Sequence, residues 1–282
     1  MINRKHKDTV FRMLFGSEEY KENTLALYNA MNGSHYTDPA ELEITTIQDV
    51  IYMGIKNDTS FIIGSELNLW EHQSSFNPNM PLRGLSYFAR LYENFVQTRD
   101  LNVYGMKPIM LPTPKYVVFY NGTERKEDKC ELKLSESFSG DDPAVEVTAV
   151  MININYGCNR ELMRACKTLD DYAYLINEIR MRRQNDLPLD IAVDEAVRFC
   201  IEKNILKAFL LKNRAEVTDM FLTEWDEEKY KKAIRREAFE DGREEGRKEG
   251  WEEGRKKERE ETILKLMKQL CLPRERVEEM LK

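Results

Sequence analysis

The sequence has no run of about 18 or more apolar residues, so no segment of it reads as a membrane-spanning helix. Its opening residues, MINRKHKDTVFRMLFG, hold no apolar stretch followed by a small-residue cleavage site, and a cytoplasmic location is expected. The five cysteines are odd in number, spread out and without a CxxC pair. That pattern suits reduced thiols in a cytoplasm better than a disulfide framework or a zinc site. Only three histidines are present, His6, His35 and His72, and none falls in HExxH spacing. GxxxxGK[ST] is missing, as is GxGxxG after a strand, so nucleotide-phosphate cradles are not indicated. A basic stripe is missing too, and the net charge is −7, which counts against nucleic-acid binding. A local basic surface would suffice for it, however, and acidic metal ligands are neutralised by their metal.

What remains is a chain of 282 residues with 41% hydrophobic content, enough for one sizeable core. Residues 8–31 read as helical with a break at Gly16-Ser17, and Asn32-Gly33 marks a turn. Residues 44–53, 58–63 and 66–73 read as strands, with turns at Lys56-Asn57 and Gly64-Ser65. A helix is expected over 81–97, with Pro81 in its first turn and Leu82, Leu85, Phe88, Ala89 and Tyr92 on one stripe. Two buried strands follow at 115–122 and 145–154, separated by a polar loop with a short structured piece. From 159 the chain turns helical, roughly over 160–182, 189–204, 205–213 and 218–240. The pattern is α/β, a mixed sheet flanked by helices with a helical C-terminal extension and a charged tail.

In the tail, Gly242, Gly246, Gly250 and Gly254 recur every four residues among Glu and Arg. Each glycine costs about 1 kcal/mol of helix stability, so a solvated, partly helical spacer is one reading. A self-association helix whose small residues permit close approach is the other. Residues 262–282 read as a small amphipathic helix pair broken at Pro273.

The chemistry rests on acids at strand positions. Along LNLWEHQ (67–73), alternation puts Leu67, Leu69, Glu71 and Gln73 on one face and Asn68, Trp70 and His72 on the other. Asp58 opens the preceding strand, close to Glu71 through the Gly64-Ser65 turn. Two carboxylates on adjacent strands can hold one Mg²⁺, which takes oxygen ligands and keeps several waters. Spacing alone favours the ordinary reading, with Asp58 opening a strand from a turn and Glu71 a solvated edge residue.

Three segments carry a resemblance: DVIYMGIKNDTSF, EHQSSFNPNMPLR and YFARLYE, between Asp49 and Glu93. With KDTVFRMLFG and VVFYNG they resemble the PD-(D/E)XK nuclease superfamily, in particular the Rpn recombination-promoting nucleases, sometimes labelled transposases. The likeness runs through about residue 230. It implies a restriction-endonuclease-like core over 1–157; the residue pattern adds a helical extension over 158–240, a charged linker or helix over 241–261 and a helix pair over 262–282. The implied activity is Mg²⁺-dependent DNA endonuclease chemistry, with Mn²⁺ or Ca²⁺ as substitutes, in recombination or mobile-element biology.

In that resemblance Asp58 and Glu71 are the motif acids, and Gln73 stands where the superfamily usually has Lys. Glutamine only hydrogen-bonds, which shifts water activation towards the metal. The backbone carbonyl of His72 is a further candidate ligand. Asp8 is either an additional metal ligand or an N-cap of the first helix, and Glu22 is a weaker alternative. Arg83 is placed to contact a phosphate or pair with a site carboxylate, with Tyr87 one turn on; both also fit ordinary surface or packing roles. DNA is the expected partner, with homo-oligomer contacts through the C-terminal helices and tail. The competing reading is a DNA-binding or assembly protein with a weak or inactive site. A transposase proper rests on the family label alone.

Overall fold

The computed structural model describes residues 9–45, 58–270 and 273–280. Among them a six-stranded mixed sheet is flanked by helices on both faces. Helices α1 (Val10–Gly16) and α2 (Lys21–Asn32) come first, followed by β1 (Leu42–Ile44), β2 (Asp58–Ile63) and β3 (Glu66–Gln73). Then come α3 (Met80–Thr98), β4 (Thr113–Tyr120), β5 (Lys129–Lys133) and β6 (Thr148–Asn153). The chain ends in α4 (Arg160–Ala165), α5 (Lys167–Gln184), α6 (Leu189–Glu202), α7 (Lys207–Leu270) and α8 (Arg274–Met280).

The sheet order is β1-β2-β3-β4-β6-β5. β2 and β3 form an antiparallel hairpin through Gly64, whose φ of 56° is open to glycine at little cost. α3 then carries the chain across so that β4 runs parallel to β3. β6 lies parallel to β4, and β5 closes the far edge antiparallel to β6.

Alternation along the central strands sorts two apolar clusters. Leu67, Leu69, Tyr116, Val118 and Met151 pack with Met80, Phe88 and Leu91 of α3 on one face. Trp70, Phe61, Val117, Phe119 and Ile152 pack with α1, α2, α5 and α6 on the other. Gly16 ends α1 where it crosses the sheet; a Cβ there would lie 2.0 Å from Thr59 Oγ1. Helices α4 to α6 thus join the same cluster as the sheet. The chain divides into two compact units, residues 1–226 and 227–282.

Several local expectations change. The N-cap of the first helix is Thr9, whose hydroxyl accepts from the Arg12 N–H; Asp8, the expected cap, lies outside the described residues. The expected strand over 44–53 is a short β1 ending at Ile44, and its remainder from residue 46 also lies outside them. In the polar stretch 123–143 the expected short structured piece is a strand, β5, whose exposed Lys129, Glu131 and Lys133 suit a sheet edge. The expected helices 205–213 and 218–240 and the charged stretch 241–260 all fall within α7, which is kinked at Asn213 (φ −116°, ψ 20°), so the expected break after 213 is present and the charged stretch continues as helix. In it Gly242, Gly246, Gly250 and Gly254 each have open space where a Cβ would stand. In the second unit Arg274 of α8 pairs with Glu260 of α7, and Ile263 is buried. Among the described residues no helix is long and apolar enough to cross a membrane.

Candidate functional site

Glu71 sits near the C-terminal end of β3, on the face covered by α3, and is 0% exposed. A carboxylate that deep is rarely ionised unless it is paired and hydrogen-bonded. Three side chains do this. Arg83 Nη2 lies 3.1 Å from Glu71 Oε2. Gln73 Nε2 donates to the same oxygen at 3.1 Å, and the Tyr116 hydroxyl donates to Oε1 at 2.9 Å.

The register explains who meets whom. Glu71 and Gln73 share a face by strand alternation. Tyr116 pairs with Leu69 in the parallel β3–β4 ladder and lies on that same face. Its ring fits because α3 has glycine at 84, where a Cβ would be 2.6 Å from Tyr116 Cε1. Arg83 and Gly84 turn the start of α3 inward, so the buried stripe is Met80, Pro81, Arg83, Gly84, Phe88 and Leu91. Leu82 and Ala89, expected on that stripe, are exposed. Tyr87 is half-buried, and its hydroxyl accepts from Arg83 Nη2 at 3.5 Å.

Asp58 is placed by its backbone register, directly opposite Glu71 across β2 and β3. The main-chain pattern shows which kind of pair this is. Gln73 and Ser65 turn their carbonyls towards β4, accepting from Asn121 and Thr113. Glu71 has the same parity, so its backbone also faces β4 and not β2. Asp58 and Glu71 are therefore a non-hydrogen-bonded pair, the closer kind, with Cα atoms about 4.5 Å apart. The two positions share one sheet face. By the same alternation the His72 carbonyl is directed to the β2 side, one position beyond Asp58. The register thus sets an aspartate position opposite the Glu71 carboxylate, with a backbone carbonyl on the β2 side, and carboxylate and carbonyl oxygens are the donor types a hard divalent cation takes. Among the described residues no three His, Cys, Asp or Glu side chains are grouped to hold a metal. Glu22 is exposed, on a helix packed against the opposite sheet face.

The His72 side chain has a separate role on that opposite face. Its ring stacks on Phe11 with centroids 4.9 Å apart, and its Nε2 meets the Tyr172 hydroxyl at 3.1 Å. Asn121 Nδ2 approaches the same hydroxyl at 3.4 Å, and Arg180 bonds the Asn121 carbonyl and Asn155 Oδ1. Full burial, with the nearby Arg180 charge, pushes the His72 imidazole down from 6.5 to about 3. Glu224 lies 3.7 Å from Nδ1, which by distance alone would be an ion pair. Burial outweighs it, so the ring is neutral and the contact is not a salt bridge. Burial likewise raises the Tyr172 phenol well above its ordinary range.

Tyr116 and Gly84 were not singled out by sequence reasoning, nor was Lys126. The Lys126 ammonium stands 3.8 Å over the ring of Phe76, in the turn between β3 and α3. Partners distant in sequence leave no local pattern; only a glycine inside an amphipathic helix hinted at a close neighbour. No family model, curated protein or solved structure matches this chain.

Proposed function

We propose that the chain is a divalent-cation-dependent endonuclease that hydrolyses DNA phosphodiester bonds, with a site built on Asp58, Glu71 and Gln73. The observation that carries this reading is the register of Asp58 against a fully buried, donor-ringed Glu71. Asp58, Glu71 and the His72 carbonyl would hold the cation; Asp8 is a further candidate outside the described residues. When bound, the cation would polarise a phosphoryl oxygen and acidify a nearby water. Gln73 orients by hydrogen bonding and carries no charge of its own. Tyr116 fixes one carboxylate oxygen of Glu71. Arg83 and Lys126 supply cationic groups near this end of the sheet, suited to phosphate oxygens. A role in recombination or mobile-element biology belongs to the same proposal, as does an assembly through the C-terminal helices.

A second reading, a DNA-binding or assembly protein with an inactive site, is favoured by the Glu71–Arg83 ion pair, since the carboxylate already has its counter-charge. Nicking of supercoiled DNA, with Mg²⁺, Mn²⁺ or Ca²⁺ and without metal, separates the two. Cleavage with Mg²⁺ or Mn²⁺ that disappears in Asp58→Ala and Glu71→Ala is the expected result. Cleavage surviving both substitutions overturns the site assignment, and DNA binding without cleavage under every metal establishes the second reading.

A further inference from the structure

We propose that Arg83 is an internal cation of the Glu71 site, which a divalent metal displaces and which thereby becomes available to a nucleic-acid phosphate. This rests on the metal-dependent reading above and adds to it an order of events. Arg83 is itself buried, 8% exposed, and its guanidinium is held against a carboxylate that is 0% exposed. Two further donors to Glu71, the Gln73 amide and the Tyr116 hydroxyl, are neutral. Among these three, only Arg83 neutralises the buried charge, which is the same electrostatic service that a metal would perform.

A dication on the same carboxylate leaves the neutral donors able to stay. It does not leave the guanidinium so, because like charges a few ångströms apart in a poorly solvated pocket repel strongly. Arg83 has a second foothold within reach. Its Nη2 lies 3.5 Å from the Tyr87 hydroxyl, and its Cζ is 6.0 Å from the Tyr87 ring, one helical turn along α3. Tyr87 accepts a hydrogen bond and offers a π face without formal charge. A guanidinium resting there keeps its planar fork for a phosphate, for which its geometry is suited. The coupling is reciprocal: metal strengthens phosphate binding, and phosphate strengthens metal binding.

Calorimetric titration of Mn²⁺ into the full chain without DNA tests the exchange. Native protein, Arg83→Met and Arg83→Lys are compared at one pH, with folding checked by circular dichroism. Removing the competing charge is expected to tighten Mn²⁺ binding by on the order of tenfold in Arg83→Met, within the usual range for coupled sites. Arg83→Lys keeps the charge and is expected to stay near native. If Arg83→Met fails to fold, Arg83→Gln, neutral yet able to hydrogen-bond Glu71, carries the same expectation. Unchanged or weaker Mn²⁺ binding in the neutral variant overturns the exchange, as does Arg83→Lys binding as tightly as that variant. In a second measurement, fluorescence anisotropy of a labelled duplex, Ca²⁺ is expected to tighten DNA binding by native protein and not by Arg83→Met. Equal Ca²⁺ dependence in both overturns the release to phosphate. Native Mn²⁺ binding that is lost in Glu71→Ala but unaltered by Arg83→Met would sink the exchange alone. Absence of Mn²⁺ binding in every chain would sink the metal-dependent reading with it.

Discussion

Glu71 and His72 are consecutive residues of one strand, and both are almost completely buried, yet they are handled in opposite ways. Glu71 faces α3 and is kept among charged and polar donors: Arg83, Gln73 and Tyr116. His72 faces α1 and α5 and is kept neutral, stacked on Phe11 and bonded to Tyr172. One face of β3 preserves a charge at depth; the other suppresses one. The contrast teaches that burial does not by itself say what a polar residue is for. The first arrangement is the one in which we propose that the counter-charge exchanges for a metal. The second fixes the strand from behind, and with it the backbone carbonyl of His72.

The largest effect is expected from stripping the charge on the α3 face. Glu71→Ala strands Arg83 in a buried position, and losing one partner of such a pair costs about 3–5 kcal/mol. Urea unfolding reads this directly, and the double variant Glu71→Met with Arg83→Met should recover a good part of the loss. Equal destabilisation by the single and double variants would show that the ion pair is not what holds this face.

The opposite face should reveal itself through pH. With the folded His72 near 3 and its ordinary value at 6.5, the unfolded chain takes up the proton first as pH falls. The contribution is therefore complete above pH 6.5 and is lost progressively towards pH 3. At pH 4.5 the loss amounts to about 3 kcal/mol. His72→Asn removes this component, so native and variant should converge in stability as the solution is acidified. In NMR titrations the His72 ring should stay neutral from pH 8 to 5; a midpoint near 6.5 would contradict the suppressed charge.

Smaller effects separate individual donors. Tyr116→Phe removes a hydrogen bond to a carboxylate and should cost about 2 kcal/mol in unfolding experiments, with weaker DNA cleavage if the proposed activity holds. Gly84→Ala should act on the same contact by pushing the Tyr116 ring away, and combining it with Tyr116→Phe should not be additive. Tyr172→Phe, on the neutral face, should cost only about 1 kcal/mol. A larger loss there than for Tyr116→Phe would reverse the comparison between the faces.

Much of this was legible in the sequence. Strand alternation placed Glu71 and Gln73 together and His72 opposite, because a two-residue period is a local property of extended backbone. Gly64-Ser65 gave the hairpin and so brought Asp58 opposite Glu71. The start of α3 followed from Pro81, but its buried face did not. An apolar stripe was the natural expectation, whereas a buried charge at Arg83 and a close approach at Gly84 set the rotation of the helix. In the tail, glycine spacing argued for broken helicity, and repeated Glu and Arg at helical spacing outweighed it through α7. The short structured piece expected within 123–143 is not identifiable from sequence as the strand β5, because a short, lysine-bounded edge strand reads as a polar loop.

The sequence by itself determined the α/β alternation, the β2–β3 hairpin and the two faces of β3, since each depends on residues within a few positions of one another. Only the tertiary structure decided that Glu71 is enclosed by Arg83 and Tyr116, 12 and 45 residues further along the chain. It alone decided that His72 is silenced by Phe11, Tyr172 and Arg180. Charge state at depth depends on what surrounds a group in space, and that environment is assembled from distant segments only when the sheet and its helices pack.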